Sequence, residues 1–389
     1  MTNAHPLRGG DPTTVRRALT DGDPLPGTSG FAGEVDGRLV RDVLGRVPLF
    51  VERTGGSGTR DWEFEPTELE EPVAVPAGAV ADVDALAKEP DVSAAFERRW
   101  SLPDPDPDSS HDDALERLES AIRSAAESVR STDRDVAVAF SGGVDSALVA
   151  ALLDAPLYVV GFPDSHDVEA ARTAAAAMDR ELTVVTLEPA DLERAVPRIV
   201  RATGRTNAMD VQIALPLYLV GERVAADGFD ALAVGQGADE LFGGYEKVVH
   251  LDHRVEAETT RDAVREQIRS LPDQLPRDTL AVRAAGLEPV SPLIHDAVVD
   301  AALRLPDGLL ADEETRKRGF RRVAASHLPE TVAMRDKKAV QYGSLVAREL
   351  DRLARQAGYK RRMDDHVTKY VESLCSERSD DPEALRSGR

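Results

Sequence analysis

Cysteine is almost absent: Cys375 stands alone in 389 residues, so no disulfide can form within the chain and thiolate metal clusters are not expected. Lysine is nearly as scarce, with seven among 48 basic residues, the rest being arginine. No apolar run approaches the ~18 residues of a membrane-spanning helix. The opening Met1-Thr2-Asn3-Ala4-His5-Pro6 has neither the basic n-region nor the apolar h-region of a secretory signal. A soluble cytoplasmic protein without a membrane partner is expected.

Acidic residues are plentiful. Asp and Glu number 70, giving a formal charge of -22. Such an acidic, lysine-poor surface suits concentrated salt, where Debye screening reaches only ~3 Å at ~1 M, and it predicts a halophilic host. Bulk acidity argues against general nucleic-acid affinity. The charge is not uniform, however. Residues 316–362 hold fourteen Arg and Lys against four Asp and Glu, a local reversal that needs an anionic partner or a structural reason.

The length allows two or three domains, and the 42% hydrophobic content supplies a packed core. Residues 1–100 are rich in Gly and Pro, with short β-like runs such as Val47-Pro48-Leu49-Phe50-Val51 and Val73-Ala74-Val75. Residues 101–113 alternate Pro with Asp and read as an extended, solvated linker. Ser110 and Asp113 make a capping-box-like start, after which Leu115, Leu118, Ile122, Ala125 and Val129 recur at helical spacing. Across residues 114–362 strands and helices alternate. Asp135–Phe140, Leu157–Phe162, Leu182–Leu187 and Ala231–Val234 are strand candidates, with helices at Val168–Met178 and about Asp210–Ala226 between them. Alternation with near-continuous apolar strands predicts an α/β fold, a parallel sheet with helices on both faces. A small β-rich N-terminal region precedes it and a mostly helical part follows beyond about Tyr245. Residues 363–389 read as a polar, partly disordered tail.

Ser141-Gly142-Gly143-Val144-Asp145-Ser146 lies between an apolar strand and the helix that begins Ala147-Leu148. Two glycines let the backbone approach a ligand with its amides inward, and a helix N-terminus adds partial positive charge. The serine hydroxyls can donate to phosphate oxygens. Asp145 would repel phosphate unless a cation lies between them, which implies Mg²⁺. The Gly-Lys-Ser/Thr ending of a Walker A loop is missing.

The loop resembles the pyrophosphate-binding loop of the ATP pyrophosphatases. Val234-Gly235-Gln236-Gly237-Ala238-Asp239-Glu240-Leu241-Phe242-Gly243-Gly244-Tyr245 resembles a signature of asparagine synthetases and their β-lactam synthetase relatives. Arg335-Asp336-Lys337-Lys338-Ala339-Val340-Gln341-Tyr342-Gly343-Ser344 is similar to that family's late lysine motif. The resemblance covers roughly residues 110–350 and implies an adenine nucleotide α-hydrolase-like sheet. It also implies an ATP-dependent ligase of the asparagine synthase type, activating aspartate or a similar carboxylate as an acyl-adenylate with release of pyrophosphate.

By that resemblance, Asp145 and Asp239 hold Mg²⁺ on ATP, and Ser141, Gly142, Gly143 and Ser146 cradle the pyrophosphate end. Phe140 and Val160-Gly161 accept the adenine through their backbone, and Gly235 lies close to the nucleotide. Lys337 neutralises charge developing between the α-phosphate and the acyl oxygen. Asp167 is an acidic helix start that reads either as an N-cap or as a catalytic residue. Asn207, Met209, Asp210 and Gln212 read either as substrate contacts or as ordinary helix-start chemistry.

Three departures qualify the match. Gln236 stands where asparagine synthetases usually carry glutamate, and a neutral amide cannot take a proton from an incoming amine, which puts the transfer step in question. Thr2 stands where glutamine-dependent members have cysteine, and residues 1–100 resemble only the later strands of a glutaminase domain. The expected nitrogen source is therefore ammonia, free or from a separate glutaminase. In Gly286-Leu287-Glu288-Pro289-Val290-Ser291-Pro292-Leu293 the family's arginine and final aspartate are not reproduced, and Glu288 reads as an ion-pair partner. Two other readings stay open. One is a tRNA-modifying enzyme with Arg348, Arg352 and Arg355 on one helix face; the other is a non-catalytic nucleotide-binding regulator.

Overall fold

The short β-like runs of the N-terminal region fold into two antiparallel sheets. Their strands are β1 (Leu7–Arg8), β2 (Ala32–Val35), β3 (Arg38–Arg41), β4 (Phe50–Glu52), β5 (Trp62–Glu63), β6 (Pro72–Ala74), β7 (Ala79–Asp82) and β8 (Glu97–Arg98). They pair in the orders β1-β2-β3-β7-β8 and β5-β4-β6, with helices α1 (Pro12–Asp21) and α2 (Val83–Leu86) alongside. The computed structural model describes residues 7–53, 60–245, 259–312, 315–335 and 343–377. Leu39, Leu49, Val51 and Val75 are fully buried in a core of this layer's own.

Five parallel strands form the main sheet: β9 (Val136–Ala139), β10 (Leu157–Gly161), β11 (Leu182–Thr186), β12 (Ala231–Ala233) and β13 (Glu288–Val290). Their spatial order is β11-β10-β9-β12-β13. Side chains along a strand alternate faces, so Val138 and Phe140 enter one core while Ala137 enters the other. Helices α3 (His111–Arg130), α4 (Val144–Leu153) and α5 (His166–Ala177) contribute to the first core through Leu118, Leu148 and Ala171. Helices α6 (Pro189–Thr203) and α7 (Ala208–Ala226) contribute to the second through Val196 and Leu215. Both faces are covered, which is why the inner strands β9, β10 and β12 are nearly all apolar.

The chain continues through α8 (Ala238–Phe242), α9 (Thr260–Ala284), α10 (Asp296–Leu303), α11 (Arg318–Ala325), α12 (Glu330–Ala333), α13 (Val346–Gln356) and α14 (His366–Glu377). The part beyond Tyr245 is largely helical, as expected. Helix α14 departs from the reading of residues 363–389 as a polar tail. Val367, Tyr370 and Val371 are buried in the same core as Val196, because they share one helical face that the surrounding charges obscure in the sequence.

The Pro-Asp stretch is extended, as Pro dictates, but it is strapped down. Arg265 donates to Leu102 O at 2.9 Å and Pro103 O at 2.6 Å and pairs with Asp104 at 2.9 Å. Ser110 caps α3 by accepting from Asp113 N at 3.3 Å. No helix among the described residues is long and apolar enough to cross a membrane.

Candidate functional site

Strand order reverses between β10-β9 and β12, so the carboxyl ends of β9 and β12 open a crevice where open α/β sheets bind ligands. A cavity of about 530 Å³ lies there. It is lined by Phe140, Ser141, Gly143, Asp145 and Ser146 after β9, by Gly235, Gln236 and Asp239 after β12, and by residues of α9 and α11.

The loop after β9 is held by its serines. Ser141 N donates to Ser146 Oγ at 3.2 Å, and the two hydroxyls lie 3.1 Å apart. Gly143 is the N-cap of α4 and makes no side-chain cap, leaving the first amides of the helix without a competing side-chain acceptor. Gly142 and Gly161 do not line the cavity, although the sequence reading grouped them with the nucleotide-binding residues. A Cβ on Gly142, whose φ is +73°, would stand 2.5 Å from the Ala170 backbone, so this glycine serves the approach of α5. A Cβ on Gly161 would stand 2.4 Å from Ser165 Oγ, the oxygen that caps α5. Gly235 does lie at the cavity, and its missing side chain lets β12 approach the loop, since a Cβ there would stand 2.8 Å from Ser146 N.

Asp145 and Asp239 converge on one cation, Lys317. Its Nζ lies 2.8 Å from Asp145 Oδ1 and 2.7 Å from Asp239 Oδ1. Burial by itself would push the ammonium down, but the two carboxylates outweigh it and hold the group above the ordinary lysine range. Gly244 makes the arrangement possible, because a Cβ there would lie 2.0 Å from Asp239 Oδ1 and 2.6 Å from Lys317 Cε. Among the described residues no group of three His, Cys, Asp or Glu side chains could hold a metal. Two carboxylates already converging on a cation nonetheless suit Mg²⁺, which is commonly held by one or two carboxylates together with substrate phosphates.

Lys317 was not singled out in the sequence, although a lysine in an arginine-dominated chain is itself a signal. It lies in the basic stretch 316–362, and Arg316, Arg321 and Arg335 of that stretch also line the cavity. Lys337 and Lys338 fall outside the described residues. The arginines of α13 are differently engaged: Arg352 pairs with Glu349, and Arg355 with Asp351 at 3.1 Å. Part of the local charge reversal therefore faces the cavity, and part is paired within a helix.

Beside apolar residues such as Ile213, Pro216, Leu217 and Val220, the remaining wall carries a polar cluster. Gln236 donates through its side-chain amide to Asp278 Oδ2. Arg277 grips Asp278 at 2.6 and 3.0 Å and reaches Asp210 at 2.9 Å. Burial pushes the Asp278 carboxyl up, against the pull of Arg277. Burial also raises the Glu240 carboxyl, whose Oε1 accepts from the Tyr245 hydroxyl at 2.5 Å.

Other singled-out residues resolve individually. Ser165, not Asp167, caps α5, by accepting from Val168 N at 3.3 Å; Asp167 is buried at the cavity wall. Asn207 caps α7, and Asp210 is tied to Arg205 and Arg277. Glu288 pairs with Arg283 at 3.0 Å.

Comparison with known proteins matches the asparagine synthase family over residues 117–280 and 252–381. The chain is 28% identical over 307 residues to Putative asparagine synthetase (glutamine-hydrolyzing) 1 of Methanocaldococcus jannaschii, covering 69% of this chain and 57% of that protein. It is 24% identical over 359 residues to asparagine synthetase B (glutamine-hydrolyzing) of Escherichia coli, covering 82% of this chain and 62% of that one. The chain thus spans only about three fifths of the length of these relatives. With the family model matching well over half of its residues, the chain belongs to the asparagine synthase family.

Proposed function

We propose that the chain is an ATP-dependent amide ligase that activates the β-carboxylate of aspartate, or of a close analogue, and passes it to ammonia. The observation that carries this reading is the convergence of Asp145, Asp239 and Lys317 beside the Ser141–Ser146 loop. A carboxylate oxygen attacks the α-phosphorus, the bond to pyrophosphate breaks, and an acyl-adenylate forms. Ser141, Gly143, Ser146 and the first amides of α4 bind the departing pyrophosphate. Lys317, and Lys337 from the late motif, supply positive charge where negative charge develops. Asp145 and Asp239 would hold Mg²⁺, which when bound neutralises phosphate charge. The backbone at Phe140 and Val160 forms the adenine side.

The amine then displaces AMP. The relatives are named glutamine-hydrolyzing, but within these 389 residues the sole cysteine lies in α14, against α6 and α7. Ammonia, free or delivered by a separate glutaminase, is therefore the proposed donor, and the acidic composition favours assay in concentrated salt. Pyrophosphate release should depend on aspartate when ATP, Mg²⁺ and ammonium are present at high salt. ATP consumption that ignores added carboxylates, or silence across a carboxylate panel, would refute the ligase reading.

A further inference from the structure

An amide-forming ligase needs a group to take a proton from the attacking nitrogen, and Gln236 cannot do so. A second polar side chain at the same wall can. Asp278 comes from α9, lies at the cavity, and is joined to Gln236 by a hydrogen bond. The link to the reaction centre is short: Gly235 lies against Asp145 and Ser146, Gln236 follows it, and Asp278 touches Gln236. The Gln236 amide donates to Asp278, a polarity that needs an acceptor oxygen at 278. Two carboxylates at these positions would face each other and repel.

We infer that Asp278, on helix α9, is the proton acceptor of the transfer step. The inference rests on the ligase reading above. As the nitrogen–carbon bond forms at the acyl-adenylate, the carbon–oxygen bond to AMP breaks and its electron pair leaves with AMP. The surplus proton passes from nitrogen to an Asp278 oxygen. Arg277 aims the carboxylate and is itself fixed by Asp210. Gln236 is a positioning residue that orients Asp278 from the loop side.

Burial raises the Asp278 carboxyl, which makes it a better base than a solvated aspartate while Arg277 keeps it chargeable. The charged and titratable groups around it are Arg277 on its own helix, Arg205 just before α7 and Asp210 in its first turn, with Glu240 and Tyr245 lining the same cavity.

The test separates activation from transfer. Asp278→Asn preserves shape and can still accept from Arg277. Aspartate-dependent ATP–pyrophosphate exchange should stay within about threefold of wild type, while amide formation falls by about 100-fold, the lower range for loss of a general base. Adding Gln236→Glu to that variant should restore at least about tenfold of the lost rate. Parallel loss of exchange and transfer, or an unchanged transfer rate, would overturn the assignment. Should Asp278→Asn fail to fold, Gln236→Glu alone decides: like-charge coupling with Asp278 should move the acid limb of amide formation to higher pH, and an unmoved limb refutes the idea. A wild type with no carboxylate-dependent exchange would remove the ligase reading and this inference with it. Exchange with transfer untouched by Asp278→Asn removes this inference alone.

Discussion

Lys317 is a lysine for a reason of shape. A compact ammonium fits between two carboxylates at 2.8 and 2.7 Å, where the planar fork of arginine would need more room. Its backbone sits at φ +57°, a left-handed conformation that a non-glycine residue adopts at a cost of about 1–3 kcal/mol. That cost is offset by the two ion pairs. Lys317→Met should leave Asp145 and Asp239 facing each other. The expected loss is about 3 kcal/mol, at the low end for a broken buried pair because Asp239 remains half exposed. Millimolar MgCl₂ should then raise the melting temperature of the variant more than that of wild type, since a divalent cation can replace the lost ammonium. Thermal unfolding with and without MgCl₂ measures both effects; a variant as stable as wild type and indifferent to Mg²⁺ would contradict the arrangement.

At the scale of elements, legibility followed locality. The strands β9 to β12 were readable because each is a short apolar run closed by glycine, Pro or a polar turn. Asp145 and Asp239 were readable because each lies within a contiguous motif. Lys317 and Asp278 were not, because their partners are 172 and 42 residues away and only the folded sheet joins them. Helix α14 was missed for a related reason. Its apolar positions Val367, Tyr370, Val371 and Leu374 follow helical spacing, yet they have nothing to bury against until α6 is in place. Its contribution is measurable. Tyr370 is 3% exposed and its hydroxyl donates to Glu193 of α6 at 2.7 Å. Tyr370→Ala should therefore cost about 3 kcal/mol, as for other large aromatic truncations, read as a lowered urea midpoint. An unchanged midpoint would mean that α14 adds nothing to the fold.

For the whole molecule, two electrostatic effects act at different ranges. The charge of -22 opposes compaction everywhere, and that repulsion weakens as added salt shortens the Debye length from ~10 Å at ~0.1 M to ~3 Å at ~1 M. The N-terminal sheets, by contrast, are locked to the main domain by a buried clasp. Arg46 lies 2.8 Å from Asp42 of its own layer and 2.6 Å from Asp296 at the start of α10, with all three side chains no more than 2% exposed. It also donates to Ile294 O at 2.7 Å, and Thr28 N donates to Asp296 Oδ2 at 2.7 Å. Water and ions do not reach these groups, so salt cannot screen them. The wild-type melting temperature should therefore climb steadily with KCl from ~0.1 to ~2 M. Arg46→Met should strand two buried carboxylates and cost about 3–5 kcal/mol. That deficit should stay nearly constant across the KCl series, because what is lost lies beyond the reach of screening. A deficit that closes as KCl rises would show that the clasp is wet and that the N-terminal layer is held by surface charge instead.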